Sequence, residues 1–176
     1  DAVRSQAEKS MVLVGGRKIG VIRPNSLYMD FEGKRKNPAG YASVSRDVGR
    51  MLGELGSEGA EGLVIDLRGN EGGALSEVVA LADLFLPGVA ILQIREAGGR
   101  VSLERDNPGN AWAGPLAVLV DADTAAGAEM FAAAIQDHHR GLVIGQRTHG
   151  RGTIQNLLDL DRPLNGTERP RFGMLK

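Results

Sequence analysis

The chain contains no cysteine in its 176 residues. That removes a disulfide framework, a thiol nucleophile and a thiolate metal site in one step. It also leaves periplasmic and cytosolic settings equally open. Aromatic residues make up only 4% of the chain, too few to build platforms for stacked bases. Neither sign of charge dominates, with 21 Lys and Arg against 22 Asp and Glu. No bulk field therefore draws the protein to nucleic acid or to an anionic membrane. No apolar run is long enough to span a bilayer, and the charged N-terminus is not a signal peptide. The first residue is Asp1 rather than Met, which reads as a processed or excised segment. Internal repeats and low-complexity stretches are also missing. What remains is 42% hydrophobic, and the length is enough for one compact domain with a core of its own.

The stretch Gly62 to Leu75 organises this domain. Leu63 to Leu67 form a short apolar run that reads as a buried strand. It stops at a turn holding Gly69, Gly72 and Gly73, and a helical pattern begins at once. Such a turn leaves backbone N–H groups uncovered just before a helix start, where partial positive charge collects. Around it, Asp1 to Ser10 read as a linker or frayed helix, with residues 1–17 as an N-terminal arm and 18–176 as the core. Lys18 to Arg23 read as a strand closed by Pro24, and Asp30 to Ala42 as a loop. Val44, Val48, Met51, Leu52 and Leu55 share one helical face, stopped by Gly56. Leu75 to Phe85 predict a helix, Val89 to Ile94 a strand, Ala97 to Gly99 a hairpin turn and Arg100 to Glu104 a return strand. Leu116 to Val120 predict a buried strand, Ala125 to His138 a helix, Leu142 to Ile144 and Thr153 to Leu158 two more strands. From Asp159 the chain reads as irregular, ending on the start of another strand. Alternating strands and helices imply a mainly parallel sheet, with ligands beyond the strands' C-terminal ends.

Three loops lie at such ends: Gly69 to Gly73, Asp121 to Gly127 and Gln146 to Gly152. The first lacks the G-x-G-x-x-G spacing of a dinucleotide fingerprint, and the last lacks the Lys-Ser/Thr pair of a phosphate loop. Thr124 reads as a helix N-cap, and Asp121 with Asp123 as solvated turn residues rather than a cation cage. His138 and His139 are adjacent and do not share a helical face, so joint metal ligation is not expected. His149 has a general base's chemistry, with no orienting partner evident in the sequence. Asp66 and Arg68 read as a structural lock. Asn165-Gly166-Thr167 fits the short glycosylation pattern, a weak signal.

These segments resemble the C-terminal processing peptidases, or tail-specific proteases, of the serine peptidase S41 family. The resemblance is carried by Gly62 to Leu75 (GLVIDLRGNEGGAL), Gly114 to Asp121 (GPLAVLVD), Ala128 to Asp137 (AEMFAAAIQD), Leu142 to Gly145 (LVIG) and Thr148 to Gln155 (THGRGTIQ). It implies an α/β core of the ClpP and crotonase type, with a mainly parallel sheet flanked by helices and no PDZ domain visible in this chain. It also implies a periplasmic setting, a peptide or unfolded protein C-terminus as partner, and cleavage by a Ser/Lys dyad assisted by Gln, with no metal or other cofactor.

Carrying the family's roles across exposes a conflict. The family's Asp-Arg-Phe-Ser-Ala-Ser-Ala-Ser-Glu aligns with Asp121 to Glu129 and puts the nucleophile's position on Ala126. Phe-Gly-Lys-Gly-Thr-Val-Gln aligns with His149 to Gln155 and puts the general base's position on Arg151, while Gln155 is kept. Oxyanion donors would be the N–H groups of Gly127 and of the Gly72/Gly73 turn. A methyl group cannot attack a carbonyl, and a guanidinium stays protonated. The resemblance therefore implies a core that has lost its dyad and keeps peptide or C-terminus binding. Other readings stay open: a scaffold that assembles with itself or with an active peptidase, an engineered inactive form of an active periplasmic protease, or an enzyme using another nucleophile such as Thr124 or Ser76.

Overall fold

The computed structural model describes residues 7–95, 98–104 and 111–152, together with the backbone of 158–159 and 174–175. In chain order the elements are β1 (Ala7–Val14), β2 (Arg17–Pro24), α1 (Phe31–Lys36), α2 (Val44–Ser57), β3 (Gly62–Asp66), α3 (Leu75–Asp83), β4 (Leu92–Arg95), β5 (Val101–Glu104), β6 (Leu116–Val120), α4 (Gly127–Asp137), β7 (Leu142–Gly145), β8 (Leu158–Asp159) and β9 (Met174–Leu175). Five strands form the main sheet in the order β1-β2-β3-β6-β7. β2, β3, β6 and β7 run parallel, and β1 pairs antiparallel with β2. β4 pairs with β5, and β8 with β9, as separate antiparallel ribbons.

Because the parallel strands lie in sequence order, right-handed crossovers bring α2, α3 and α4 to one face. α2 presents Val44, Val48, Met51, Leu52 and Leu55, all buried, as its periodicity predicts. They meet Ile22, Leu63, Ile65, Leu116 and Val118 of the sheet and Phe131 and Ile135 of α4 in one cluster. Phe85 and Phe131 meet edge to face, with ring centroids 5.9 Å apart. Residues of the opposite sheet face alternate with these and are also apolar. Ile19, Val21, Val64, Ala117 and Leu119 are half-buried there, and Val12, Leu142 and Ile144 are exposed.

Several segments differ from the sequence reading. Residues 7–10, read as linker or frayed helix, belong to β1, so part of the expected arm is an edge strand of the sheet. The β1–β2 turn is Gly15-Gly16, with φ of 57° and 80°, the left-handed pair that matches strand twist in a two-residue hairpin. Residues 31–36, read as loop, form α1, capped by Asp30 Oδ1, which accepts the Gly33 N–H at 2.8 Å. α2 passes through Gly56 and ends in a Schellman motif at Gly59 (φ 83°), with Gly59 N–H donating to Gly56 O and Ala60 N–H to Leu55 O, both at 3.0 Å. β4 begins at Leu92 rather than Val89. Ala97 and most of the Thr153 to Leu158 strand lie outside the described residues, while Leu158 falls in β8.

The approach of Leu55 of α2 to Gly20 of the sheet generates a stability test. A Cβ on Gly20 would lie 2.8 Å from Leu55 Cδ1, and Leu55 is fully buried. Leu55→Ala should cost about 2–5 kcal/mol in urea unfolding, and Gly20→Ala should cost more in the parent than in the Leu55→Ala background. Equal costs in both backgrounds would refute the contact.

Candidate functional site

Three loops meet where β3, β6 and β7 end. Asn70, fully buried, ties the first loop together and to its neighbours. Its Nδ2 donates to Pro24 O at 2.7 Å, its Oδ1 accepts the Gly72 N–H at 2.8 Å, and its carbonyl accepts the Ala125 N–H at 2.9 Å. Asp121 Oδ1 accepts the N–H groups of Gly69 and Thr124 at 3.0 Å and of Asp123 at 3.1 Å. These hydrogen bonds, Gly69's first, hold the Asp121 carboxyl below its ordinary range. Thr124 is not the helix N-cap that its sequence position predicts. Its buried hydroxyl donates to Leu67 O at 2.9 Å and accepts the Asp121 N–H at 3.0 Å, which draws it back to the strand ends. Asp66, buried at the end of β3, forms a two-pronged pair with Arg68 at 2.8 Å on each prong. The Arg68 guanidinium holds the Asp66 carboxyl low. The Asp66–Arg68 pair thus stays within one segment, its partners two residues apart.

The N-cap of α4 is Ala126, with φ 51° and ψ −117°. A residue with a Cβ costs on the order of 1–3 kcal/mol in such a region and persists only where its surroundings impose it. Here the backbone bonds impose it: Ala126 N–H donates to Arg151 O at 2.9 Å, and Ala125 N–H is taken by Asn70. Ala126 and Arg151 are therefore neighbours through the main chain. The glycine turn closes on them. A Cβ on Gly72 would lie 2.7 Å from Gly127 N and 3.1 Å from Ala126 Cβ, and one on Gly127 would lie 2.8 Å from Val78 Cγ2 and 3.7 Å from Gly73 N. Only backbones without side chains approach this closely.

Among the described residues, the N–H groups of Gly73 and Gly127 have no acceptor. The Gly72 N–H, expected to be free, is bound to Asn70 Oδ1, so the turn's open donor is that of Gly73. Gln155 lies outside the described residues. His149 contributes its backbone N–H to Thr124 O at 3.0 Å, and its side chain is exposed. His138 is the C-cap of α4 and its Nε2 lies 3.1 Å from Ala90 O. No group of three metal-binding side chains occurs among the described residues, and no described helix is long and apolar enough to cross a membrane.

Asn70 and Glu129 are the site residues that sequence reasoning missed. Glu129 stands at the third position of α4, where a Glu can accept the N-cap's N–H, so its offset from the strand-to-helix turn was the available signal. It accepts the Ala126 N–H at 3.0 Å. Burial pushes its carboxyl up, but donors from Thr148, Gly150, Ala126 and Arg151 outweigh burial and leave it below its ordinary range.

Fold and site define an α/β core whose strand-to-helix elbow is of the kind in which hydrolases hold a nucleophile. Residues 18–168 match the family model of Peptidase family S41, and the chain belongs to that family. It is 37% identical to the tail-specific protease of Haemophilus influenzae over 161 residues, 90% of this chain and 21% of that protein. It is 36% identical to the carboxyl-terminal-processing protease of Synechocystis over 119 residues, 68% of this chain and 28% of that protein. The solved photosystem II D1 C-terminal processing protease superposes with a TM-score of 0.69 at 26% identity, over 92% of this chain and 41% of that one. The chain thus spans less than a third of either curated relative.

Two outcomes follow from this geometry. Ala126→Gly should stabilise the protein by about 1 kcal/mol, because relief of left-handed strain exceeds glycine's extra unfolded-chain entropy; a loss of stability in denaturant titration would show that Ala126 is unstrained. The carboxyl groups of Asp66, Asp121 and Glu129 all have folded pKa values below their ordinary ones. Their contribution is therefore full above the unfolded values, about pH 4, and lost as pH falls through the lower folded values. The melting temperature should fall on that acid limb, less steeply in Asp121→Asn, and parallel curves for parent and variant would refute the role of Asp121.

Proposed function

We propose that this S41 core binds an extended peptide, or the C-terminus of an unfolded protein, and does not cut it. The observation that supports this most is the elbow at Ala126. The backbone there adopts a strained conformation suited to presenting a reactive side chain, where the Gly72 turn closes on Ala126 and Gly127, and the side chain is a methyl group. A methyl cannot form an acyl-enzyme. Arg151, at the position where the family resemblance puts the base, carries a guanidinium, which offers hydrogen-bond donors and no acceptor. The remaining donors suit a peptide carbonyl or a carboxylate, and the Arg151 guanidinium adds attraction for a free C-terminus. A periplasmic setting follows from the family resemblance.

A second reading draws on the apolar sheet face opposite the helices: a scaffold that assembles with another copy or with an active peptidase. Co-purification of such a partner, with no affinity for peptides, would favour it.

The parent should leave an unfolded reporter protein intact, while Ala126→Ser combined with Arg151→Lys should restore measurable cleavage. Loss of a serine nucleophile costs about six orders of magnitude in turnover, so cleavage by the parent would overturn the non-catalytic reading. Calorimetric titration should show the parent binding a free-acid peptide. Arg151→Ala should weaken that binding about tenfold while leaving the amidated peptide unaffected.

A further inference from the structure

The Glu129 side chain joins the two halves of the site. Its Oε2 accepts the N–H groups of Ala126 at 3.0 Å and Arg151 at 2.9 Å, and its Oε1 accepts the Thr148 hydroxyl and the Gly150 N–H, both at 2.8 Å. An ionised carboxylate offers about four lone-pair sites and no proton, so these donors use its whole capacity. Three of the four are on residues 148–151, the segment that leaves β7 and carries Arg151. Among the described residues, the other backbone ties of the post-β7 segment to its surroundings are Gln146 N–H to Val120 O at 3.1 Å, His149 N–H to Thr124 O at 3.0 Å and the Arg151 carbonyl accepting from Ala126 at 2.9 Å. Arg151 itself is exposed, so its backbone, not burial of its side chain, fixes where it stands.

We propose that Glu129 is the positioning residue of this site: its carboxylate holds the Thr148–Arg151 segment on the Ala126 elbow and so sets where Arg151 stands beside the Gly73 and Gly127 donors. The consequence for peptide affinity rests on the binding reading above; the latch is a claim about the loop and stands apart from it. The competing role is a plain helix cap. A cap needs the Ala126 bond alone, and Gln serves there as well as Glu. A latch needs two acceptor oxygens. In Glu129→Gln the amide oxygen in the place of Oε2 keeps the Ala126 cap, the amide nitrogen in the place of Oε1 turns the Gly150 N–H away, and the lost charge weakens the Arg151 bond, so that variant keeps the capping geometry and breaks the latch.

The experiment is residue-resolved amide hydrogen exchange at neutral pH on the parent, Glu129→Gln and Thr148→Val, with affinity for the free-acid peptide measured on the same samples. In Glu129→Gln the amides of Gly150 and Arg151 should exchange about tenfold faster, as loss of hydrogen bonds to a charged group implies, while those of Phe131 to Ile135 inside α4 stay at parental rates. Thr148→Val, which removes one donor and leaves Glu129 untouched, should speed the same two amides by a smaller factor. Parental rates at Gly150 and Arg151 in Glu129→Gln would overturn the latch and leave Glu129 a cap. A freed loop with unchanged peptide affinity would overturn its positioning of Arg151. If the parent binds no peptide, the proposed function fails, and the exchange rates alone still decide whether the latch exists.

Discussion

The site depends on the approach of two stretches of backbone, the Gly72–Gly73 turn and the start of α4. At the separations found there a single added carbon on Gly72 would sit 2.7 Å from Gly127 N. Asn70 makes the approach possible. Buried and bonded on both ends of its amide, it satisfies Pro24 O and the Gly72 N–H and takes the Ala125 N–H on its own carbonyl. Buried polar groups are tolerated when they are satisfied in this way. The clamp leaves the Gly73 and Gly127 N–H groups as open donors among the described residues, and it forces Ala126 into its left-handed backbone.

Much of the fold was legible because its elements are long enough to show a period. The buried stripe of α2 and the apolar runs of β3 and β6 are the kind of signal that burial writes directly into sequence. β1 was not legible. As an edge strand it mixes Glu8, Lys9 and Ser10 with Met11 and Val12, and its only sharp marker is the Gly15-Gly16 turn. α1 was hidden for a related reason: it buries no residue, so no apolar face marks it.

The site was legible in part. The family motifs put Ala126, Gly127 and Arg151 on loops at strand ends, and the fold brings those residues to one place with Gly72 and Gly73. Side-chain work by Asn70, Glu129 and Thr124 was harder to read. Each acts on backbone atoms far away in sequence, such as Pro24, Arg151 and Leu67, and no local pattern encodes those partners. Thr124 shows the difficulty: a hydroxyl just before a helix resembles a cap, yet a distant carbonyl at a strand end offers it a better bond.

The sheet face turned away from α2, α3 and α4 has a consequence of its own. Ile19, Val21, Val64, Ala117 and Leu119 form a continuous oily surface across three parallel strands, and parallel sheets in proteins are covered on both sides. The described helices supply one cover. Any cover on the other side gains about 25 cal/mol for each Å² of apolar surface it withdraws from water. Among the described residues this face is apolar and half-buried, so the gain from covering it grows with the area covered, and salts excluded from protein surfaces enlarge that gain.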